Sequence, residues 1–244
     1  EGSSHPSAQY FPASGLMRQA SYYDPEREAF ALIDTCFGTH HLQFGEDGDD
    51  TLWFSGDANV IGWINTRVYD ETNDEQYSQG WCPTVIDTNG DGKITRPWNE
   101  PGDEVDSSRD TRLVGFGYGV IANPIDDTAW ITRTGPFPGR LVRLDRGANP
   151  PETCIAEVYE PPSIENPKVD PLLSGSAPRG IDVDRDGIIW TALSGSSHMA
   201  SFDRSKCQVL NGPTATGQHC PEGWSLYPVP GPQMKGVTEP GSAD

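Results

Sequence analysis

The chain has few basic residues and no long hydrophobic run. None of its 244 residues belongs to an apolar stretch approaching the roughly 18 that a membrane-spanning helix needs. Lysine and arginine number 17 against 36 aspartates and glutamates, which gives a formal net charge of −19. Because nucleic acids and anionic lipids require clustered Lys and Arg, neither is an expected partner. Cations and neutral or basic ligands remain.

Several enzyme and metal motifs are also missing. The sequence contains no HExxH and no GxSxG, and its five cysteines include no close CxxC pair, so a structural zinc site is not expected. Cys207 and Cys220 bracket a loop rich in Gly, Pro and Thr, where a disulfide would restrict a segment with little core of its own. Acidity, seven tryptophans and this pairing together predict an exported protein, secreted or periplasmic.

Internal repetition dominates what is present. Three segments run through apolar alternation, an acidic turn and a short strand that carries Trp53, Trp130 or Trp190. The alternation of period two predicts half-buried strands, and Asp186-Gly187 suits a tight hairpin turn. Each segment is therefore predicted to be a hairpin whose tryptophan lies in the core.

A second motif follows each hairpin, and an earlier copy precedes them all. An aromatic or aliphatic residue precedes aspartate, and another β-like stretch comes next; the copies are Tyr23-Asp24, Tyr69-Asp70, Leu144-Asp145 and Phe202-Asp203. The repeating unit is thus predicted to contain four strands and no helix. This predicts an all-β fold, a β-propeller of four-stranded blades. A β-sandwich is the alternative, but it would not explain why the same quartet recurs in the same order.

The predicted blades do not complete a ring. A closed propeller needs roughly four to eight blades, whereas about three complete ones are present. The chain is therefore expected to be part of a larger ring, made by a longer polypeptide or by several copies. The predicted units are an N-terminal extension (1–14), a partial blade (15–37), three blades (38–100, 112–162 and 177–231) and the start of another (232–244).

These repeats resemble a known family. The segment RGIDVDRDGIIWTALSG, followed by HMASFDR, is similar to the repeats of streptogramin (virginiamycin B) lyase-like and NHL-type propellers. The segment DTCFGTHHLQF with its DTNGDG insertion resembles a bacterial branch labelled as carrying a carboxypeptidase-regulatory-like domain. The resemblance covers most of residues 15–237 and implies the propeller fold. For the lyase family it also implies a divalent cation and a catalytic His beside the channel, acting on a cyclic peptide lactone; no motif here matches that His.

A ligand site is predicted where the first strand of each blade begins. Alignment of these starts makes His40, Tyr118, Arg179 and Lys235 equivalent, with His41 beside His40. Mostly basic groups at one channel mouth would bind an anionic or carbonyl-bearing ligand. We predict His40 as general base with Arg179 as its catalytic partner, and Tyr118, Lys235 and His41 as ligand contacts. Alternatively, these side chains merely fill or solvate the channel. Strand alternation is expected to point the His40 and His41 side chains to opposite faces, so they are not expected to bind one metal ion together.

A calcium loop is predicted in the insertion after residue 86. Its oxygen ligands would come from Asp87, Asn89, Asp91, the carbonyl of Lys93, and Thr95, at the alternate positions of an EF-hand loop. Position twelve is Trp98 where that loop has Glu, so Glu100 or Asp103 would have to supply the last acid. Calcium would order the insertion and take no part in catalysis. A solvated acidic loop is the alternative.

Two functions follow from these observations. The first is an exported propeller that binds a small-molecule or saccharide-like ligand at its channel mouth, with lyase or hydrolase activity. The second is a non-catalytic scaffold that joins other protein chains. A nucleophile among Ser194, Ser196 and Ser197, beside His198, ranks lower because no partner acid can be assigned.

Overall fold

A computed structural model describes residues 4–11, 18–56, 58–163 and 174–230. Strands predominate in these ranges, so the all-β prediction is confirmed. The N-terminal hairpin is β1 (Arg18–Asp24) and β2 (Ala29–Thr35). The first sheet contains β3 (Leu42–Phe44), β4 (Thr51–Phe54), β5 (Val60–Asn65) and β6 (Gln79–Pro83). The second sheet contains β7 (Val85–Ile86), β8 (Thr111–Arg112), β9 (Val120–Ala122), β10 (Ala129–Arg133), β11 (Arg140–Asp145) and β12 (Ile155–Tyr159). The third sheet contains β13 (Pro178–Val183), β14 (Ile189–Leu193), β15 (His198–Phe202) and β16 (Trp224–Pro228).

Each of the three sheets contains a four-stranded antiparallel meander. Strands β3 to β6, β9 to β12 and β13 to β16 each pair in chain order. The three predicted hairpins are therefore confirmed, as β3–β4, β9–β10 and β13–β14. In the last turn Asp184 Oδ1 accepts bonds from the amides of Asp186 and Ile188, both at 3.0 Å, and Gly187 has φ +78°. An acid followed by glycine thus closes the turn as the sequence predicts.

The second sheet contains two strands beyond the predicted quartet. β7 pairs in parallel with β12, through Ile86 and Ala156, and β8 pairs with β7. A disulfide between Cys82 and Cys154 joins the first sheet to the segment that leads into β12. The sequence did not predict this bridge, because 72 residues separate its cysteines. The Cys207–Cys220 disulfide is confirmed, and Cys36 forms none.

Two short helices occupy the β5–β6 connection, where the repeat predicts no helix. They are α1 (Thr66–Thr72) and α2 (Glu75–Ser78). Asn65 caps α1 by accepting a bond from the Val68 amide at 2.9 Å, and Asp74 caps α2 through the amides of Gln76 and Tyr77. Tyr69-Asp70 therefore lies in a helix and is not the strand end that its counterparts form. Local capping overrides the repeat at this connection.

The sheets stack face to face in chain order, with a separate core at each interface. The N-terminal hairpin packs on the first sheet through Ile33, Phe37 and Phe54. Trp53, on the opposite face, packs with Ile131 and Val142 of the second sheet. Trp130 of the second sheet packs in turn on Ile189, Leu193 and Phe202 of the third. Each tryptophan-bearing face is thus covered by the sheet that follows it.

The third sheet breaks this pattern. Trp53 and Trp130 are each 1% exposed, but their equivalent Trp190 is only half-buried. It stacks on Tyr227, with ring centroids 5.9 Å apart, and Met199 and Tyr227 beside it are 45% and 48% exposed. The prediction that each tryptophan lies in the core is therefore met only in part at Trp190, since no later sheet covers it within the described ranges. No sheet closes on itself there, and the series stays open at both ends.

A buried ionic cluster joins the second and third sheets. Glu157, on β12, accepts bonds from Arg204 Nε and Nη2 at 2.6 and 2.7 Å. Arg143 Nη1 and the Tyr159 hydroxyl donate to the same carboxylate at 3.0 and 2.6 Å. Hydrogen bonding to Glu157 raises the pKa of Arg204, and burial beside that carboxylate raises the pKa of Tyr159. Glu157 thus pairs with two arginines, and Arg143 also pairs with Asp126 at 2.9 Å and with Asp145 at 3.5 Å.

His219 lies near this cluster as a neutral imidazole. Its ring packs on Tyr159 with centroids 5.3 Å apart, and Nδ1 accepts a bond from the Gly217 amide at 3.2 Å. Nε2 is buried and has no hydrogen-bond partner in the described part of the chain. Burial lowers the pKa of His219, although the charges of Glu157 and Glu222 oppose the shift. Protonation at Nδ1 would also break the bond from Gly217.

Acid should therefore destabilise the fold through His219. Because its pKa is lower in the folded than in the unfolded chain, the unfolded chain binds more protons as the pH falls below about 6.5, and stability present above that pH is lost. The free energy of unfolding, measured with urea, should decrease less between pH 7.5 and pH 5.5 in the variant His219→Phe than in the wild type. The two decreases should differ by at most about 1.4 kcal/mol per pH unit, the value for one proton. Equal losses in both proteins would contradict this assignment.

No helix within the described ranges is long and apolar enough to cross a membrane.

Candidate functional site

The first strands of the three sheets are neighbours. β3 and β13 both contact β9, so the starts of all three strands lie together. His40 and His41 precede β3, Tyr118 lies two residues before β9, and Arg179 is the second residue of β13. The structure thus brings together four of the five residues predicted at the channel mouth. The fifth, Lys235, lies outside the described residues.

Tyr118 is at the centre of this cluster. Its ring centroid is 5.4 Å from that of His40 and 4.7 Å from that of His41. The Arg179 guanidinium lies over the same ring, 4.5 Å from the centroid. A cation over the face of a tyrosine ring is attracted by the negative potential of that face. His40, His41 and Arg179 are exposed and Tyr118 is partly buried, so the cluster opens to solvent.

The backbone after β4 holds the two histidines in place. Ser55 accepts a bond from the His40 amide and donates its own amide to the His41 carbonyl, both at 2.9 Å. Its hydroxyl donates to the carbonyl of Tyr118. Gly56 follows with φ +106°, and a Cβ there would collide with the His40 side chain. Glycine is therefore required both by the backbone conformation and by the space available.

His41 is held in one tautomer. Its Nδ1 lies 2.7 Å from the Tyr118 carbonyl oxygen, which can only accept, so Nδ1 carries the proton and donates. In the neutral ring Nε2 is then left with a lone pair. Fixing one ring nitrogen in this way makes the other a base or a ligand atom. The sequence favoured His40 as the base, but the structure orients the ring of His41, and no residue of the described ranges forms such a bond to the ring of His40.

The predicted separation of His40 and His41 is wrong. Their ring centroids are 4.4 Å apart. The prediction assumed an extended strand, in which consecutive side chains point to opposite faces. Both residues instead lie in a bend, and β3 begins only at Leu42. Their rings consequently share one side of the chain and both pack on Tyr118.

Arg179 lies in an irregular part of its strand. The β13–β14 register shifts between Pro178 and Ile181, as in a β-bulge. Bulges re-aim the side chains that they contain, and the Arg179 side chain reaches across to Tyr118 of the second sheet. The Thr132 hydroxyl donates to the Arg179 carbonyl and anchors the bulge to β10.

A cavity of about 730 Å³ adjoins the cluster. Tyr118 and Phe116 form part of its wall, and Phe116 also contacts His40, with ring centroids 6.4 Å apart. The cavity wall contains two arginines, Arg112 and Arg140. Burial lowers the pKa of Arg140, and its Nε has no hydrogen-bond partner in the described ranges. Arg112 is already paired with Glu100, with Nη2 2.6 Å from Oε2, so its charge is largely offset and Arg140 supplies the other positive group of the cavity wall.

Ser196 and His198 form a pair that sequence reasoning ranked low. Ser196 Oγ lies 3.1 Å from His198 Nδ1 and also accepts a bond from the Ser176 amide at 3.0 Å. His198 is 4% exposed, and burial lowers its pKa. No carboxylate of the described residues bonds to His198, so the third member of a catalytic triad is lacking there.

The predicted calcium loop adopts a compact turn. Asp87 is 2% exposed, and its carboxylate accepts amide bonds from Gly90, Asp91 and Gly92 at 2.7 to 3.0 Å. Asn89 accepts from the Asp91 amide and Asp91 from the Lys93 amide, both at 3.0 Å. The described ranges contain no group of three or more His, Cys, Asp or Glu side chains arranged to hold a metal ion.

The acids expected to complete this loop bond elsewhere. Glu100 accepts from Arg112 Nε and Trp98 Nε1, both at 2.7 Å, and Asp103 accepts from the Glu100 amide at 3.3 Å. The acid that does contact the loop is Asp110, which accepts bonds from the amide and hydroxyl of Thr95 at 2.7 and 3.0 Å. Sequence reasoning missed it, although Asp110 is the last residue of the insertion before β8.

Comparison with known proteins gives a distant structural likeness. No protein-family model matches the chain. No curated protein sequence matches it either. Among solved structures, a streptogramin B lyase structure is similar, with a TM-score of 0.48 and 13% sequence identity. The match covers 87% of this chain and 48% of that one, so this chain spans about half the length of that protein. The resemblance to streptogramin lyase-like propellers thus has a distant structural counterpart, nothing supports the carboxypeptidase-regulatory-like branch, and so weak a likeness assigns neither family nor activity.

Proposed function

We propose that the three sheets are adjacent blades of a β-propeller, exported from the cell, and that His40, His41, Tyr118 and Arg179 bind a small ligand at the mouth of its channel. The observation that carries this proposal is the convergence of the three first-strand starts on Tyr118. Three successive four-stranded meanders, stacked face to face, support the propeller. In that arrangement the first strands would surround the channel.

The ligand class follows from charge. Arg179 is exposed with its guanidinium over Tyr118, and the adjoining cavity contains Arg112 and Arg140. A carboxylate or a polarised carbonyl is the natural partner of such groups, since charge-assisted hydrogen bonds are stronger than neutral ones. An anionic saccharide or a similarly sized organic acid fits a space of about 730 Å³.

The same groups suit a lyase or hydrolase. His41 Nε2 would act as the base that removes a proton, and Arg179 would stabilise the negative charge that develops on the ligand oxygen. His40, within contact distance of both His41 and Tyr118, would be the second titratable group.

Binding of an anionic sugar tests the proposal. Galacturonate should bind more tightly than its neutral counterpart galactose in calorimetric titrations. Arg179→Ala should weaken galacturonate binding about tenfold or more, since a hydrogen bond to a charged group contributes about 1.5–3 kcal/mol. The exposed Arg185, in the β13–β14 turn, provides the matched control, and Arg185→Ala should bind as the wild type does. Equal affinities in all three proteins, or no preference for the acid, would refute the site.

A scaffold role is the second candidate, favoured by the open face of the third sheet. Trp190, Met199 and Tyr227 lie together on that face with no sheet over them in the described ranges. The equivalent faces around Trp53 and Trp130 are each covered by a following sheet. The occupant that fits is another four-stranded sheet of the same kind, on this or another chain.

A further inference from the structure

Outside the cluster around Tyr118, the carboxylate of Asp110 is buried in an unusual way. Its side chain is completely buried, with 0% exposure. Oδ2 accepts both bonds from Thr95, but Oδ1 is buried without a hydrogen-bond partner among the described residues. A buried carboxylate oxygen left without a donor is costly unless a positive charge or a proton compensates it. This oxygen therefore requires an explanation.

The surroundings of Asp110 are acidic. Two bonds from Thr95 hold the Asp110 carboxylate against the loop that contains Asp87 and Asp91, and the charges of these two acids act on it. None of the three carboxylates forms an ion pair with Lys or Arg in the described ranges. Like charges brought together in a partly dry environment repel strongly. A cation between them would relieve that repulsion.

We infer that Asp110 is the acidic ligand that completes a calcium site with Asp87, Asn89, Asp91 and the Lys93 carbonyl. The three carboxylates do not form a metal-holding group as they stand, so calcium would have to draw them together around the ion. The four loop residues occupy positions one, three, five and seven of an EF-hand loop, counted from Asp87. Asp110 takes the part that Glu plays at position twelve, where this chain has Trp98. All the ligand atoms are hard oxygens, and calcium prefers such ligands in flexible sites of six to eight. The two bonds from Thr95 hold Asp110 against the loop.

The site would also influence a distant segment. The Gly212 amide donates to the Asp87 main-chain carbonyl at 2.9 Å. Gly212 lies in the loop closed by the Cys207–Cys220 disulfide. Calcium bound at Asp87 would therefore steady two segments, the insertion between β7 and β8 and the disulfide loop that precedes β16.

Titration of the metal-free chain with calcium chloride tests the inference. After treatment with EDTA, the wild type should bind one Ca²⁺ per chain in calorimetry, and its melting temperature should rise with calcium concentration. Asp110→Asn should weaken calcium binding about tenfold or more, because one carboxylate of the site is lost. Magnesium at the same concentration should raise the melting temperature less, since Mg²⁺ gives up its hydration shell reluctantly.

Two further measurements distinguish a ligand from a residue needed only for folding. In EDTA, Asp110→Asn should melt no lower than the wild type, because the substitution removes a buried, repelled charge. Glu104→Gln, an equal loss of charge at an exposed position of the insertion, should bind calcium as the wild type does. Calcium should slow amide exchange in residues 207–220 of the wild type, and it should leave exchange in the Asp110→Asn variant unchanged. A wild type that does not respond to calcium, or an Asp110→Asn variant that responds equally, would overturn the inference.

Discussion

Glu157→Ala is expected to lower the free energy of unfolding by about 3–5 kcal/mol, the cost of breaking a buried ion pair from one side. The Glu157 and Arg143 side chains are 7% and 8% exposed, and Arg204 is 31% exposed. Removing the carboxylate leaves the Arg204 guanidinium and the Tyr159 hydroxyl without their acceptor, while Arg143 loses one partner and keeps its pair with Asp126 at 2.9 Å. The loss of these bonds should weaken the packing of the second sheet against the third. Urea unfolding followed by tryptophan fluorescence measures it.

The neighbouring Asp145 provides the control for Glu157. It also pairs with Arg143, at 3.5 Å, but its side chain is 49% exposed. Asp145→Ala should cost less than about 1 kcal/mol, as exposed ion pairs do. A Glu157→Ala variant that costs no more than Asp145→Ala would show that the cluster contributes little to joining the two sheets.

Trp130→Ala should be nearly as damaging, at about 3–5 kcal/mol, because it removes a large side chain from a packed interface. Trp130 contacts Tyr159 and Phe202, with ring centroids 5.8 and 6.0 Å away, and is 1% exposed. The resulting cavity would lie between the second and third sheets. The unfolding free energy in urea, measured on the same day for wild type and variant, gives the difference.

Trp190 is the matched comparison, since it occupies the equivalent position in the third sheet. It is only half-buried and packs on one ring, that of Tyr227. Trp190→Ala should therefore cost roughly half as much as Trp130→Ala or less. Equal costs would mean that another sheet covers Trp190 in solution, and would favour the scaffold hypothesis and a more complete ring.

The strands and turns were predictable because their causes are local. Alternation around Ile181 and Val183 requires only that one face be buried, and Asp186-Gly187 can form its turn without help from the rest of the chain. The same holds for the Cys207–Cys220 bridge, which spans 13 residues. The start alignment that grouped His40, Tyr118 and Arg179 also succeeded, because a repeated unit puts equivalent residues at equivalent positions.

Apart from the two short helices, which local capping explains, the failures depend on segments that are distant in sequence. Cys82 and Cys154 meet only because the first two sheets stack, and Asp110 reaches Thr95 only because the insertion folds back on itself. The rings of His40 and His41 share one side because a hydrogen-bonded bend replaces the expected strand. None of these leaves a periodic signal in the sequence.

By itself, then, the sequence determined the all-β class, the three hairpins and the residues that lie at the start of each first strand, since alternation and turn chemistry act over a few neighbours. The tertiary structure alone decided which tryptophan faces are covered, which histidine ring is oriented and which acid contacts the loop that begins at Asp87. These depend on the packing of whole sheets, where burial and the satisfaction of polar groups are settled between segments that lie far apart along the chain.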